Sequence, residues 1–230
     1  MSPTRVRSAL AVGALCALGL GASAAGAAPA PGGTLVATAR VAAVDVRSAP
    51  AGHVVRRLDN PTRDGAPLTF LVRRLRGAWL QVYLPTRPNG AMGWVASDAV
   101  SLSRNRWRVA ISVRAHTLTV LRGGRVVERE RVAVGKPGTP TPRGRFYITA
   151  LLRSAQPTGL YGPYAFALSA HSKVLEQFNG GNGQIGIHGT DDPAGLGRSI
   201  SHGCVRVANA GIRRLARILP LGTPVDISVG

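Results

Sequence analysis

Cysteine is almost absent: the 230 residues hold two, Cys16 and Cys204. Cys16 falls inside an N-terminal segment with the marks of a secretory signal, so the exported chain is expected to keep Cys204 alone. One cysteine excludes an internal disulfide framework and leaves a thiol that is a small buried hydrophobe, an intermolecular partner or a reactive group. Acidic side chains are also scarce, 10 against 29 basic ones, for a formal net charge of +19. Lysine is confined to Lys136 and Lys173, so arginine carries nearly all of that charge. The arginines are scattered without interleaved aromatics, and an export signal takes the chain away from nucleic acid, which is therefore not an expected partner. Anionic cell-envelope polymers suit such a charge better, through a long-range attraction that salt weakens. After the N-terminal segment no apolar run approaches the length of a membrane span, so no transmembrane segment is expected in the mature protein. The sequence shows no internal repeat.

The N-terminal segment, residues 1–27, places Arg5 and Arg7 before an apolar run from Ala9 to Leu20 and then small residues. Ala22-Ser23-Ala24 and Ala25-Gly26-Ala27 both suit signal-peptidase cleavage. The expected location is outside the cytoplasmic membrane, in the cell wall or a periplasmic-type space. Losing Arg5 and Arg7 would lower the charge from +19 to +17.

Residues 28–33 form a Pro/Gly/Ala linker, and short strand signals follow. Ala78-Trp79-Leu80-Gln81-Val82-Tyr83 alternates as a half-buried strand does; Pro88-Asn89-Gly90 makes a turn, and Met92-Gly93-Trp94-Val95 another strand. A second module starts near Trp107, where Val109, Ile111 and Val113 alternate and Gly123-Gly124 supplies a two-residue hairpin turn. Three prolines and three glycines across Gly135–Gly144 predict an exposed loop. Ile212, Leu215, Ala216 and Leu219 recur at helical spacing until Pro220, and Val225, Ile227 and Val229 end on an alternating strand. Many short strands and one helix predict a mainly β fold.

The chemistry concentrates in Ser201-His202-Gly203-Cys204-Val205-Arg206 and, sixteen residues before the cysteine, His188 of Ile187-His188-Gly189-Thr190. A thiolate is the reactive form of cysteine, and a neighbouring imidazole makes it available near neutral pH. Cys204 therefore reads as a nucleophile and His188 as its general base. A zinc site built from His188, His202 and Cys204, with Asp191, uses proper ligand types, but one glycine between His202 and Cys204 is narrower than structural sites commonly use. No metal and no cofactor is expected. A papain-like peptidase would place its cysteine before its histidine, the reverse of the order here.

These motifs resemble the L,D-transpeptidase catalytic domains of the YkuD family, over residues 107–230. Upstream, Val134-Gly135-Lys136, Thr139-Pro140-Thr141-Pro142, Gly144-Arg145-Phe146 and Gly162-Pro163-Tyr164-Ala165 are similar to the family as well. The resemblance implies a β-sandwich with one short helix near its C-terminal side, a thioester on Cys204, and the backbone carbonyl of Gly189 as the group that orients His188. It implies an oxyanion hole of the Gly203 and Cys204 amides. His202 has three readings: a hydrogen bond to nearby backbone, a lowering of the thiol pKa, or shaping of the turn. Arg206, where many members carry asparagine, suits a substrate carboxylate. Ser201, Thr190, Tyr164 and His171 are further candidates for the substrate cleft, Arg206, Tyr164 and His171 also having a structural reading. The implied substrates are peptidoglycan stem peptides, with carbapenem acylation of Cys204. A stem amine as acceptor gives a cross-link between third stem residues; water gives an L,D-carboxypeptidase. Residues 34–102 resemble a bacterial SH3-like barrel, a wall-peptide binder or a spacer, and a non-catalytic wall-binding protein is the remaining reading.

Overall fold

Alternation of apolar and polar residues, with period two, lays down most of this chain. A computed structural model describes Met1 and residues 33–230. The expected signal segment and nearly all of the linker lie outside the described residues. The first seven strands are β1 (Thr34–Ala39), β2 (Ala43–Arg47), β3 (Val54–Asp59), β4 (Thr69–Arg76), β5 (Trp79–Tyr83), β6 (Met92–Ala96) and β7 (Val100–Asn105). They hydrogen-bond in the order β3-β2-β6-β5-β4-β1-β7. In β2, Val44 and Val46 point inward, and in β5 Leu80 and Val82 do so; with Phe70 and Val95 they form a separate apolar core. Trp94 is buried and Trp79 half-buried, and each is covered by an arginine, Arg74 at 5.1 Å and Arg47 at 5.7 Å from the ring centre.

The second module begins at once with β8 (Trp107–Ser112), β9 (Thr117–Arg122) and β10 (Arg125–Arg131), the last two joined across Gly123-Gly124, both at positive φ. Then come β11 (Val134–Gly135), β12 (Gly144–Arg153), β13 (Tyr164–His171), β14 (Gln184–His188), β15 (Ser199–Ser201) and β16 (Val205–Arg206). The α-helix of the described residues, α1 (Asn209–Ile218), precedes the final strand β17 (Pro224–Ser228). Eight strands pair in the order β10-β9-β8-β17-β12-β13-β14-β16, and β11 pairs with β15 separately. Ile212 and Leu215 of α1 are fully buried in the same core as Ile148, Phe166, Leu168 and Ile187, so burial of one face holds the helix. The fold is mainly β, with a curled sheet and one helix, consistent with the L,D-transpeptidase β-sandwich. No helix of the described residues is long and apolar enough to cross a membrane.

The two modules meet through buried polar contacts. Asn105 Nδ2 donates to Thr223 Oγ1 at 2.9 Å, and Tyr147 Oη donates to the Tyr83 carbonyl at 3.2 Å.

One expectation is corrected. The loop 136–143 is not simply exposed: Thr139 and Thr141 are buried. Their hydroxyls donate to the carbonyls of Ser201 at 3.2 Å and Gly203 at 2.8 Å, so the loop forms a floor beneath the Ser201–Cys204 turn. Prolines and glycines removed regular pairing, and side-chain hydroxyls supplied the missing partners.

Candidate active site

Strand register brings the reactive residues together. In β14, Ile185 and Ile187 point into the core, which turns Gln184 and Gly186 to the opposite face. β16 runs parallel to β14, with Ile187 opposite Val205 and His188 opposite Arg206. Val205 is buried, so Cys204 and Arg206 on either side of it project the other way. One residue back along the same register lies Gly186, whose N–H donates to Cys204 Sγ at 3.3 Å.

His188 is buried and its Nδ1 sits 2.6 Å from the Gly189 carbonyl oxygen. A carbonyl only accepts, so Nδ1 carries the proton and Nε2 keeps its lone pair. Gly189 is held in turn: a Cβ there would lie 2.2 Å from Asn209 Oδ1 and 2.9 Å from Gly162 Cα. Only a glycine fits this approach. Asn209, at the start of α1, also accepts the Thr190 N–H at 2.9 Å.

The Ser201–Cys204 turn is braced from inside. Ser201 Oγ donates to the Cys204 carbonyl at 2.6 Å and accepts the Gly203 N–H at 3.1 Å. Gly203 has φ +120, a region that side-chain-bearing residues rarely adopt. The Gly203 amide is thus already paired, and an oxyanion hole using both the Gly203 and Cys204 amides would need Ser201 Oγ to give up that bond.

Cys204 is partly exposed at the junction of two cavities, of about 270 Å³ and 230 Å³. His188 and Tyr161 line both. So do Phe178 and Asn179, in the segment 172–183 between β13 and β14, a strap whose residues contribute to the walls of both. The first cavity also contains Arg206, His202 and Ser201. The Tyr161 ring meets the His188 ring edge-on, centroids 4.9 Å apart.

Burial pushes the Cys204 thiol above its ordinary pKa, opposed by the Gly186 N–H and the Arg206 guanidinium. Burial also lowers the His188 imidazole to about 4, with the Gly189 hydrogen bond opposing and Arg206 adding to the shift. Burial thus favours the neutral thiol and the neutral imidazole, which line the same cavities. Such a pair can act as nucleophile and general base once a substrate carbonyl is in place.

The other predicted residues divide. Arg206 faces the first cavity and its Nε is buried without a partner, a free donor at the cleft. His202 is exposed and stacks on Phe178 at 5.0 Å, so it meets the strap. Thr190, Tyr164 and His171 do not line either cavity at Cys204. Thr190 Oγ1 accepts the Asp192 N–H at 3.0 Å, a turn contact. The Tyr164 carbonyl accepts the Gly189 N–H at 3.2 Å, and His171 is buried. Phe178, Asn179, Gly186 and Asn209 were not found from sequence. Only Asn179-Gly180 carried a signal, that of a tight turn, and both residues have positive φ. Among the described residues no three His, Cys, Asp or Glu side chains converge as a metal site requires.

The cleft lies within a domain that has known relatives. The family model for the YkuD L,D-transpeptidase catalytic domain matches residues 106–227, which include every residue of the cleft. The YkuD protein of Bacillus subtilis is 38% identical over 122 residues, 53% of this chain and 66% of that protein's length. L,D-transpeptidase 1 of Mycobacterium tuberculosis is 25% identical over 232 residues, covering 86% of each chain. Among solved structures, L,D-transpeptidase 3 from Mycobacterium tuberculosis superposes with a TM-score of 0.46 at 16% identity, over 62% of this chain and 76% of that one. The chain belongs to the YkuD family of L,D-transpeptidase catalytic domains.

Proposed function

We propose that this protein is a peptidoglycan L,D-transpeptidase that works through a thioester on Cys204. The observation that carries the reading is the His188 Nδ1 contact to the Gly189 carbonyl at 2.6 Å beside a thiol in a double-mouthed cleft. That contact leaves Nε2 free to take a proton. In the first half-reaction His188 Nε2 takes the Cys204 proton as the sulfur attacks the carbonyl of the third stem residue. The Cys204 N–H, with the Gly203 N–H if Ser201 releases it, stabilises the oxyanion. The tetrahedral species collapses to a thioester, and the terminal D-alanine amine leaves with the proton from His188.

In the second half-reaction the side-chain amine of a meso-diaminopimelate residue on a neighbouring stem gives a proton to His188 and attacks the thioester. The bond to sulfur breaks, the sulfur regains its proton, and an amide joins two third residues. Two cavities meeting at one thiol suit a donor and an acceptor that must not exclude each other. The cavity holding Arg206 suits the donor, whose C-terminal carboxylate matches the guanidinium. Water in place of the amine makes the same site an L,D-carboxypeptidase. The signal-like sequence of residues 1–27 supports action outside the cytoplasmic membrane. The SH3-like sequence of residues 34–102 and the arginine excess support retention on wall peptides and anionic polymers.

The test is intact-mass analysis of the protein with a disaccharide-tetrapeptide, with and without a second stem, muropeptide products being read from the same mixtures. A dimer that disappears in Cys204→Ala and His188→Ala supports the proposal. A tripeptide without dimer assigns the carboxypeptidase, and no mass change with folded protein assigns the wall-binding reading.

A further inference from the structure

The strap over Cys204 is anchored by the other module. Between β5 and β6, Arg87 reaches across and donates Nη1 to the Ser172 carbonyl at 2.5 Å. Its Nη2 donates to the carbonyls of Leu175 and Asn182, each at 3.0 Å. Two residues on, Asn89 exchanges a pair of hydrogen bonds with the backbone of His171, 2.7 Å to its carbonyl and 2.8 Å from its N–H. Ser172 and Leu175 belong to the outgoing root of the strap and Asn182 to the returning root. One guanidinium therefore ties both roots together, which a planar fork of five donors can do and a single ammonium cannot. Gly183, at φ +74, lets the two roots close: a Cβ there would lie 2.0 Å from the Leu175 carbonyl oxygen and 2.8 Å from Arg87 Nη2.

The far end of the strap reaches the neighbours of the reactive pair. Phe178 and Gly181 exchange backbone hydrogen bonds of 3.0 and 2.9 Å around Asn179-Gly180, giving a closed tip. From this tip Phe178 stacks on His202, and Asn179 Nδ2 donates to Tyr161 Oη at 3.1 Å. Tyr161 in turn packs on His188. Between its roots and its tip, the strap has few backbone partners of its own: Val174 and Leu175 donate to Ser172 Oγ, and most of its residues are exposed. Its position is thus set at the two ends, one held by the N-terminal module and one resting on the catalytic residues.

We propose that Arg87, assisted by Asn89, is a positioning residue of the active site: the N-terminal module holds the strap over Cys204 and so fixes the shape of both cavities. This rests on reading the cleft as the acyl-transfer site. The N-terminal module is then part of the enzyme's working geometry as well as any anchor it provides.

The experiment uses the whole protein with Arg87→Ala, Arg87→Lys and Asn89→Ala. Arg73→Ala, which removes an exposed contact to Gln81 in the same module, is the control. Three readouts are taken: amide hydrogen exchange, Cys204 alkylation by iodoacetamide and by a bulky maleimide, and KM and kcat on tetrapeptide donor. In Arg87→Ala, exchange across residues 173–182 speeds up about tenfold or more, the loss expected for charge-assisted bonds, while β8–β10 keep the parent rate. The bulky reagent gains more than the small one, and KM rises several-fold with a smaller change in kcat. Arg87→Lys recovers part of each effect, and Arg73→Ala none. Parent values for strap exchange, reagent selectivity and KM in folded Arg87→Ala would overturn the proposal. So would equal acceleration of strap and β8–β10, which marks Arg87 as a general stabiliser. If the parent protein shows no acyl transfer while exchange and reagent selectivity respond as expected, the functional reading fails and the anchoring of the strap stands.

Discussion

Gly189 packs directly against Asn209, so closely that a Cβ on the glycine would sit 2.2 Å from the asparagine Oδ1. The same glycine's carbonyl orients His188. Packing at the head of α1 therefore bears on the tautomer and direction of the His188 imidazole. Gly189→Ala is expected to displace that carbonyl, at an overpacking cost of roughly 1–3 kcal/mol. Activity should fall further than stability, by about tenfold or more in kcat, because a misdirected base loses part of its 10²–10⁴-fold contribution. Asn209→Ala removes the clashing atom, so the double variant should lose less than the sum of the two single effects. Strict additivity in kcat would show that the collision does not transmit to His188.

The thiol should titrate late. Burial raises Cys204 above its ordinary pKa, and the imidazole beside it is neutral down to about pH 4. A preformed thiolate–imidazolium pair would give an alkylation rate that levels off below neutrality. The structure instead predicts an iodoacetamide rate that keeps rising through pH 9. Arg206→Gln should push the rise to still higher pH, because the guanidinium favours the thiolate. A plateau near pH 6 would contradict the neutral pair.

Stability should depend on pH through the same histidine. The folded pKa of His188, about 4, lies below its ordinary 6.5, so between these values the unfolded chain binds more protons. Stability is then fully present above pH 6.5 and declines as pH falls toward 4, by on the order of 3 kcal/mol at 1.36 kcal/mol per unit. His171, also lowered by burial, shifts in the same direction. Urea denaturation at pH 7.5 and pH 4 should show this loss, and a smaller one in His188→Gln. Equal losses in the two proteins would assign the effect to other groups.

Local pattern carried the strands and the reactive pair, and distance in sequence hid what surrounds them. β5, β8 and β17 are legible because a buried face every second residue is written in the chain itself. α1 is legible from its apolar spacing and the proline after it. Cys204 and His188 stand out because few residue types perform their chemistry. Asn209 does not, since its role depends on a gap left by two glycines, Gly162 and Gly189, elsewhere in the chain. Arg87 is one of many arginines, and its partners are carbonyls 85 to 95 residues away, which leave no mark in side-chain identity. Thr190 and His171 look polar and available in the sequence, whereas folding places both in the interior. The direction in which burial moves the thiol is not legible in sequence, because desolvation depends on packing and adjacency to histidine does not reveal it.

Arg206 should read the donor's C-terminus. Its Nε is buried without a partner, its charge lies near both reactive groups, and it lines the cavity that holds Cys204. A buried donor of that kind is costly until something pairs with it, and the carboxylate of a terminal D-alanine is an acceptor of matching geometry. Arg206→Gln should raise KM for a tetrapeptide donor by about tenfold or more, the equivalent of one charge-assisted hydrogen bond. The same substitution should change KM little for a donor whose terminal carboxyl is amidated, because the lost partner is then missing on both sides. Arg206→Lys should recover only part of the difference, since an ammonium cannot reproduce the planar fork. If the penalty is the same for free and amidated donors, the Arg206 side chain serves the fold of the turn and not the substrate.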